Sequence, residues 1–130
     1  MTASPARDAA PVVVVVVEDE AMIRMMAVDL LTDAGFAVHE ARDAEEALAI
    51  LHAQAAAVNV LFTDINMPGA MDGLALAHHA RGAWPWIGLL VASGKALPVA
   101  AELPAGSAFM AKPYDARRMV AQVRELAGDG

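Results

Sequence analysis

Polar side chains that could do chemistry follow several apolar stretches of this sequence, at the point where each stretch ends. Glu18 and Asp19 follow a run of valines, Asp64 ends a second apolar run, Ser93 follows a third, and Lys112 comes after a fourth. Clustered carboxylates repel one another and shift one another's pKa values, so such a set usually holds a metal ion or a proton. Because the candidate ligands are oxygen atoms and the sequence has no Cys, Mg²⁺ is the natural candidate.

Asp64 is the candidate nucleophile of this set. It ends a strand-like run and is followed by the turn-forming pair Pro68 and Gly69. In an open parallel sheet, ligands bind beyond the carboxyl ends of the strands, which is where this carboxylate would lie. Taken alone, Asp64 is explained equally well as a turn former, since Asp is common before turns. The polar residues at the other strand ends favour a functional role.

The elements that must position these residues alternate between strand and helix. Continuous β-branched runs predict strands that are covered on both faces, and apolar residues at helical spacing predict the helices between them. The predicted strands cover residues 12–17, 36–40, 58–63, 87–92 and 107–111, and the predicted helices cover 21–34, 43–55, 73–81 and a last segment capped by Asp115. This alternation predicts a doubly wound α/β fold with a parallel sheet and right-handed crossovers.

The segment from Lys95 to Gly106 interrupts the alternation. It contains Pro98 and Pro104, and a proline inside a helix costs about 3 kcal/mol. We therefore expect no more than about one turn of helix in this segment.

Length and composition indicate one small domain and limit its partners. The chain has 130 residues, a formal net charge of −7 and no run of Lys or Arg, whereas nucleic-acid binding needs a basic patch. We expect no direct nucleic-acid partner and no membrane partner, because the run of valines is too short to span a bilayer. The absence of Cys and of a signal peptide favours the cytoplasm. We expect residues 1–11 to be a disordered lead-in, 12–127 the domain and 128–130 a tail.

Several short motifs occur in an order and at a spacing that indicate a family. They are Val-Glu-Asp-Glu at 17–20, Thr-Asp-Ile-Asn-Met-Pro-Gly at 63–69, Met-Asp-Gly-Leu at 71–74, Ser93, and Lys-Pro-Tyr at 112–114. Together they resemble the CheY-like response-regulator receiver domain of two-component signalling, over residues 12–127. The resemblance implies a flavodoxin-like, five-stranded parallel sheet in the order 2-1-3-4-5, here with a degenerate fourth helix.

The resemblance also implies a role for each carboxylate. Asp64 would accept a phosphoryl group from a histidine kinase or a histidine phosphotransferase, so the chain would catalyse its own phosphorylation and dephosphorylation. Glu18, Asp19 and Asp64 would hold Mg²⁺ together with the backbone carbonyl of Asn66. Glu18 departs from the family, which often has Asp there, and its extra methylene changes how it reaches a metal.

The same resemblance assigns the remaining site residues. Lys112 would pair with one phosphoryl oxygen, and the Ser93 hydroxyl would donate to another after transfer. Phe109 matches the family's switch aromatic but has no hydroxyl, so it would respond by packing alone. The family also implies a cis peptide bond between Lys112 and Pro113.

Two groups of large apolar residues are expected to serve mainly as packing. Trp84 and Trp86 flank a proline and could form a partner-binding patch, but we expect them to be buried at a helix-to-strand corner. Met22, Met25 and Met26 could form an adaptable binding face on the first helix, but we expect at least Met26 to pack in the core.

Other functions remain open from the sequence. The chain could be a pseudo-receiver that only binds proteins, although Asp64, Ser93 and Lys112 are intact. It could be an aspartate-nucleophile phosphatase of the haloacid dehalogenase type, but that family needs a second Asp where this chain has Asn66. A true receiver could signal through a protein partner or drain phosphate from a kinase, and it could be a segment of a hybrid sensor kinase.

Overall fold

The computed structural model describes residues 11–94 and 102–128. Its strands are β1 (Val13–Val17), β2 (Ala37–Ala41), β3 (Val60–Asp64), β4 (Gly88–Ser93) and β5 (Ala108–Ala111). Its α-helices are α1 (Ala21–Asp33), α2 (Ala44–Gln54), α3 (Gly73–Ala83) and α4 (Ala116–Leu126), and a short 3-10 helix covers Ala55–Ala57. The predicted alternation of strand and helix is confirmed, and the observed ends differ from the predicted ones by at most two residues.

The five strands form one sheet in the order β2-β1-β3-β4-β5, and every neighbouring pair is parallel. This is the strand order that the sequence resemblance implies. Parallel pairing places the carboxyl ends of all the strands at one edge of the sheet. At that edge Thr63 pairs with Val17, Asp64 with Ala92, and Ser93 with Ala111.

The run of valines in β1 is explained by burial on both faces of the sheet. Val15 and Val17 belong to a core that also contains buried residues of α2 and α3. Val14 and Val16 belong to a second core on the opposite face, with buried residues of α1 and α4. A strand covered on both sides needs apolar residues at successive positions, which is why β1 does not alternate.

Three of the helices begin with an aspartate cap. The side chains of Asp43, Asp72 and Asp115 accept hydrogen bonds from backbone amides in the first turns of α2, α3 and α4. Such caps satisfy amides that have no partner within the helix. The predicted capping role of Asp115 is therefore confirmed.

Some expectations fall wholly or partly outside the described residues. The sequence predicts a shortened helix between β4 and β5, and the four α-helices of the described residues fit this expectation. Residues 95–101, which belong to that segment between β4 and β5, lie outside the described residues. The predicted lead-in also lies almost entirely outside them, as do residues 129–130 of the predicted tail. Among the described residues, no helix is long and apolar enough to cross a membrane.

The packing expectations for Met26 and Trp86 are wrong, whereas Trp84 is half-buried and packs against the core. Met26 is 42% exposed, because Ala27 and Leu31 fill the core positions of α1 and adjacent helical residues point about 100° apart. Trp86 is 57% exposed, since Ile87 fills the core position beside it, although its indole N–H donates to the Ala55 carbonyl at 3.1 Å.

Candidate functional site

The polar residues predicted to act together lie at one edge of the sheet. Glu18 directly follows β1, Asp64 and Ser93 end β3 and β4, and Lys112 directly follows β5. Glu18, Asp64 and Ser93 are only 3%, 4% and 2% exposed, in a core that is otherwise almost entirely apolar. Buried polar groups are costly unless they have partners, so this cluster needs an explanation beyond packing.

The carboxylates form a compact group around one cation. Glu18, Asp19 and Asp64 each offer an oxygen atom, and these oxygens lie within 4.8 Å of one another. The Lys112 ammonium lies 2.7 Å from Oε1 of Glu18 and 3.3 Å from Oδ1 of Asp64. One lysine therefore faces two buried carboxylates, while Asp19 lies exposed at the mouth of the group.

Burial dominates the ionisation of the two buried carboxylates. It raises the pKa of Glu18, although Lys112 and the backbone amide of Glu20 act in the opposite direction. Burial also raises the pKa of Asp64, against the lowering effect of Lys112. Burial alone would lower the pKa of Lys112, but its pairing with Glu18 and Asp64 outweighs this and raises it. Added positive charge at this site would therefore favour the ionised form of both buried carboxylates.

The arrangement fits a hard divalent cation. Oε1 of Glu18 and Oδ1 of Asp64 are buried, and the Lys112 ammonium is the cation that lies close to both. Carboxylate oxygens in this number suit Mg²⁺. The other oxygen of Glu18 accepts from the Glu20 amide at 3.1 Å, which shows how the longer side chain is folded back.

The pKa shift of Glu18 leads to a test of stability against pH. A raised carboxyl pKa means that the folded state binds the proton more tightly, so stability is highest below the usual pKa of 4.5 and falls as the pH rises. Without metal, Glu18→Gln should therefore raise the free energy of unfolding at pH 7. Thermal melts of both proteins should show this gain vanishing below about pH 4. A gain that persists unchanged at low pH would contradict the assignment.

The loop after Asp64 is held close to the first turn of α3. The Gly73 amide donates to the Ile65 carbonyl at 2.9 Å, and the Ile65 amide donates to Ala92 of β4 at 2.8 Å. The Thr63 hydroxyl donates to the Asp64 carbonyl at 3.0 Å. A side chain at Gly73 would place its Cβ only 1.7 Å from that same carbonyl oxygen, so only glycine allows this approach.

Gly73→Ala should therefore disrupt both the fold and the site. We expect a loss of about 3 kcal/mol in the free energy of unfolding, because backbone rather than a flexible side chain must move. Gly82→Ala is the matched control, since a Cβ there meets nothing within 4 Å, and it should gain up to about 1 kcal/mol. Urea denaturation of the two variants measures the difference. Equal stabilities would contradict the close approach.

Ser93 is linked to the loop on one side and to β5 on the other. Its hydroxyl accepts a hydrogen bond from the Asn66 side-chain amide at 3.2 Å. Its backbone carbonyl accepts from the Lys112 amide at 3.0 Å. Phe109 is half-buried and packs against the core beneath α2 and α3, and its switch role stays a prediction. The expected cis bond between Lys112 and Pro113 is confirmed.

The role of Arg24 at this site was not predicted from the sequence. Its side chain is only 14% exposed, and its guanidinium donates to the backbone carbonyl of Glu18 at 2.9 Å. It also pairs with Glu40 at the end of β2, again at 2.9 Å. The available signal was a lone cation in an otherwise apolar and acidic helix.

Most of the chain matches a family model. Residues 14–124 match the response regulator receiver domain. The chain belongs to this family. Receiver domains are phospho-accepting modules of two-component signalling and interact with histidine kinases or phosphotransferases, so the phospho-acceptor role predicted from the sequence is supported.

Curated relatives contain this receiver domain as one part of a longer chain. It is 35% identical over 116 residues to the sensor kinase CckA of Brucella abortus, covering 87% of this chain and 12% of that protein. It is 36% identical over 114 residues to the C4-dicarboxylate transport transcriptional regulatory protein DctD of Rhizobium meliloti, covering 85% and 24%. The chain thus spans a quarter or less of these relatives.

Solved structures agree with the fold. A response regulator receiver protein from Sinorhizobium medicae is 28% identical with a TM-score of 0.84, covering 91% of this chain and 95% of that one. The receiver domain of the hybrid histidine kinase CckA is 33% identical with a TM-score of 0.77, covering 88% and 98%. The chain is therefore similar over most of its length to solved receiver domains.

Proposed function

We propose that Asp64 is the phosphorylated residue of this receiver domain. The observation that carries the proposal is the position of its carboxylate, at the end of β3 among the acidic oxygens and 3.3 Å from the Lys112 ammonium. A carboxylate that attacks phosphorus must be ionised, and a cation at the same site favours ionisation.

The proposed reaction moves one phosphoryl group from nitrogen to oxygen. An Asp64 oxygen forms a bond to phosphorus while the phosphorus–nitrogen bond of a phosphohistidine breaks. The imidazole leaves with the electron pair of that bond and takes up a proton, and Asp64 becomes an acyl phosphate. Water attack on the acyl phosphate would later release inorganic phosphate and restore the carboxylate.

Glu18, Asp19 and Asp64 are the residues that would hold Mg²⁺, with the backbone carbonyl of Asn66 as a further ligand. When bound, the metal would neutralise charge on the phosphoryl oxygens, where electrostatic stabilisation supplies most of the catalysis. Lys112 would pair with one of these oxygens, because its ammonium already lies at the carboxylate that is modified.

Ser93 and Phe109 form the proposed response to phosphorylation. The Ser93 hydroxyl accepts a hydrogen bond from the Asn66 side-chain amide. After phosphorylation it would donate to a phosphoryl oxygen. Phe109 lies on β5 opposite Val91, two residues before Ser93 on β4, so a shift at Ser93 can reach it through packing. The phosphorylated form would then signal by protein–protein interaction or act as a phosphate sink.

The surface beside the site suits an apolar surface of a protein partner. A hollow of about 300 Å³ borders Lys112 and is lined by Ile23, Met26, Gly94, Pro113 and Tyr114 as well. Next to it Met22 and Met25 are 83% and 59% exposed, and flexible thioether side chains adapt to apolar partner surfaces. We propose that a histidine kinase or phosphotransferase docks here. The proposal places the chain in the cytoplasm, a reducing compartment that suits a sequence without Cys.

A phosphotransfer profile tests this function. Candidate kinases and phosphotransferases, labelled on histidine with radioactive phosphate, are mixed with the chain and Mg²⁺. We expect label to leave one of them and appear on the chain within the time of a rapid-mixing assay. If neither these donors nor acetyl phosphate labels the chain, the pseudo-receiver alternative is favoured instead.

A further inference from the structure

Arg24 joins three parts of the fold at the acidic site. It lies in the second turn of α1, and its guanidinium donates from Nη1 to the Glu18 carbonyl at 2.9 Å. From Nε it donates to Oε1 of Glu40, the residue of β2 that pairs with Val16. Its side chain is 14% exposed, whereas that of Glu40 is 54% exposed. The guanidinium is thus packed under the loop rather than extended into solvent.

The contacted loop is the one that carries the acidic pair. Glu18 is fixed on its amide side by the Ala41 carbonyl of β2 at 3.1 Å. On its carbonyl side it is fixed by Arg24. The peptide plane between Glu18 and Asp19 is therefore held by a side chain from α1, and both acidic side chains project from the backbone that this plane belongs to.

We propose that Arg24 is a positioning residue for the cation site, because it holds the Glu18 carbonyl so that the carboxylates of Glu18 and Asp19 face Asp64. The inference rests on the proposed Mg²⁺-dependent function and adds a residue that does not touch the metal. Residues that orient ligands commonly change metal affinity by about tenfold or more when they are replaced.

Positioning and simple charge predict opposite results, which makes the inference testable. Removing the Arg24 cation leaves the site more negative, so electrostatics alone would strengthen Mg²⁺ binding. Releasing the loop would weaken binding, because the carboxylates would have to be ordered when the metal binds. The sign of the change in affinity therefore separates the two roles.

The experiment compares Arg24→Gln with Arg42→Gln by calorimetric titration with Mg²⁺. Arg42 is the matched control, since it is an exposed arginine paired with Glu46 at 2.7 Å and the substitution removes the same charge. We expect Arg24→Gln to weaken Mg²⁺ binding about tenfold and Arg42→Gln to stay within about twofold of the wild type. Amide NMR signals of Asp19 and Glu20 should shift in metal-free Arg24→Gln and stay unchanged in Arg42→Gln.

Further controls separate this inference from folding and from the proposed function. Titrations are made well below the melting temperature of each variant, with circular dichroism showing that the protein is folded. Arg24→Lys keeps the positive charge but loses the planar guanidinium with its several donors. This variant should therefore also bind Mg²⁺ weakly. Unchanged or tighter binding by Arg24→Gln, or full recovery in Arg24→Lys, would overturn the positioning role. A wild-type chain that binds no Mg²⁺ would instead overturn the proposed function.

Discussion

Asp64→Asn should reduce phosphoryl labelling of this chain to background, with both acetyl phosphate and a phosphohistidine donor in the presence of Mg²⁺. The amide is nearly the same size as the carboxylate but cannot form an acyl phosphate, so the loss should be complete. The fold should be retained, because the substitution removes a buried charge whose pKa is raised by burial. Labelling is measured by radioactive phosphate on gels, and folding by circular dichroism.

Asp29→Asn is the control for this experiment. Asp29 is an exposed residue of α1, so its replacement removes one negative charge without touching the site. It should be labelled to the same extent as the wild type. Full labelling of a folded Asp64→Asn protein would mean that another residue accepts the phosphoryl group.

Removal of Mg²⁺ with EDTA is expected to have the second largest effect. Stabilisation of the phosphoryl charge by a metal is worth several kcal/mol, and about 4 kcal/mol corresponds to roughly a thousandfold in rate. One oxygen from each of Glu18, Asp19 and Asp64 lies within 4.8 Å of the others. The single positive charge of Lys112 does not balance three carboxylates. Labelling should therefore slow by roughly that factor and recover when excess Mg²⁺ is added.

Two controls support the metal experiment. Excess K⁺ at matched ionic strength should not restore labelling, because a monovalent ion cannot replace a divalent one among several carboxylates. Asp19→Asn should weaken the response to Mg²⁺ while leaving Asp64 in place. A rate that EDTA does not change would contradict a metal role for these acids.

The fold and the ends of the strands could be predicted because their signals are local. The valines of β1 and the apolar run before Asp64 identify buried strands, and parallel strands bring their carboxyl ends together. Strand order is a long-range property that such runs do not encode. It followed from the family resemblance, and the sheet agrees with it.

The residues that were missed or misplaced depend on contacts between distant segments. Arg24 contacts Glu40, which lies sixteen positions along the chain. The apolar periodicity of a helix does not indicate which acidic residue an arginine on its polar face will contact. Met26 was misplaced because α1 is apolar on most of its surface, so that hydropathy does not say which neighbouring residue faces the core. Trp86 was misplaced because a tryptophan can satisfy its N–H on Ala55 and still leave most of its ring in solvent.

Locating the phosphoryl group on the wild-type chain tests directly whether Asp64 is the residue that accepts it. The protein is treated with acetyl phosphate and Mg²⁺, its intact mass is measured, and the acyl phosphate is trapped by borohydride reduction before peptide mapping. We expect a gain of one phosphoryl group, its loss in hydroxylamine, and reduction of Asp64 alone. No gain in mass, or a phosphoryl group on another residue, would contradict the assignment of Asp64.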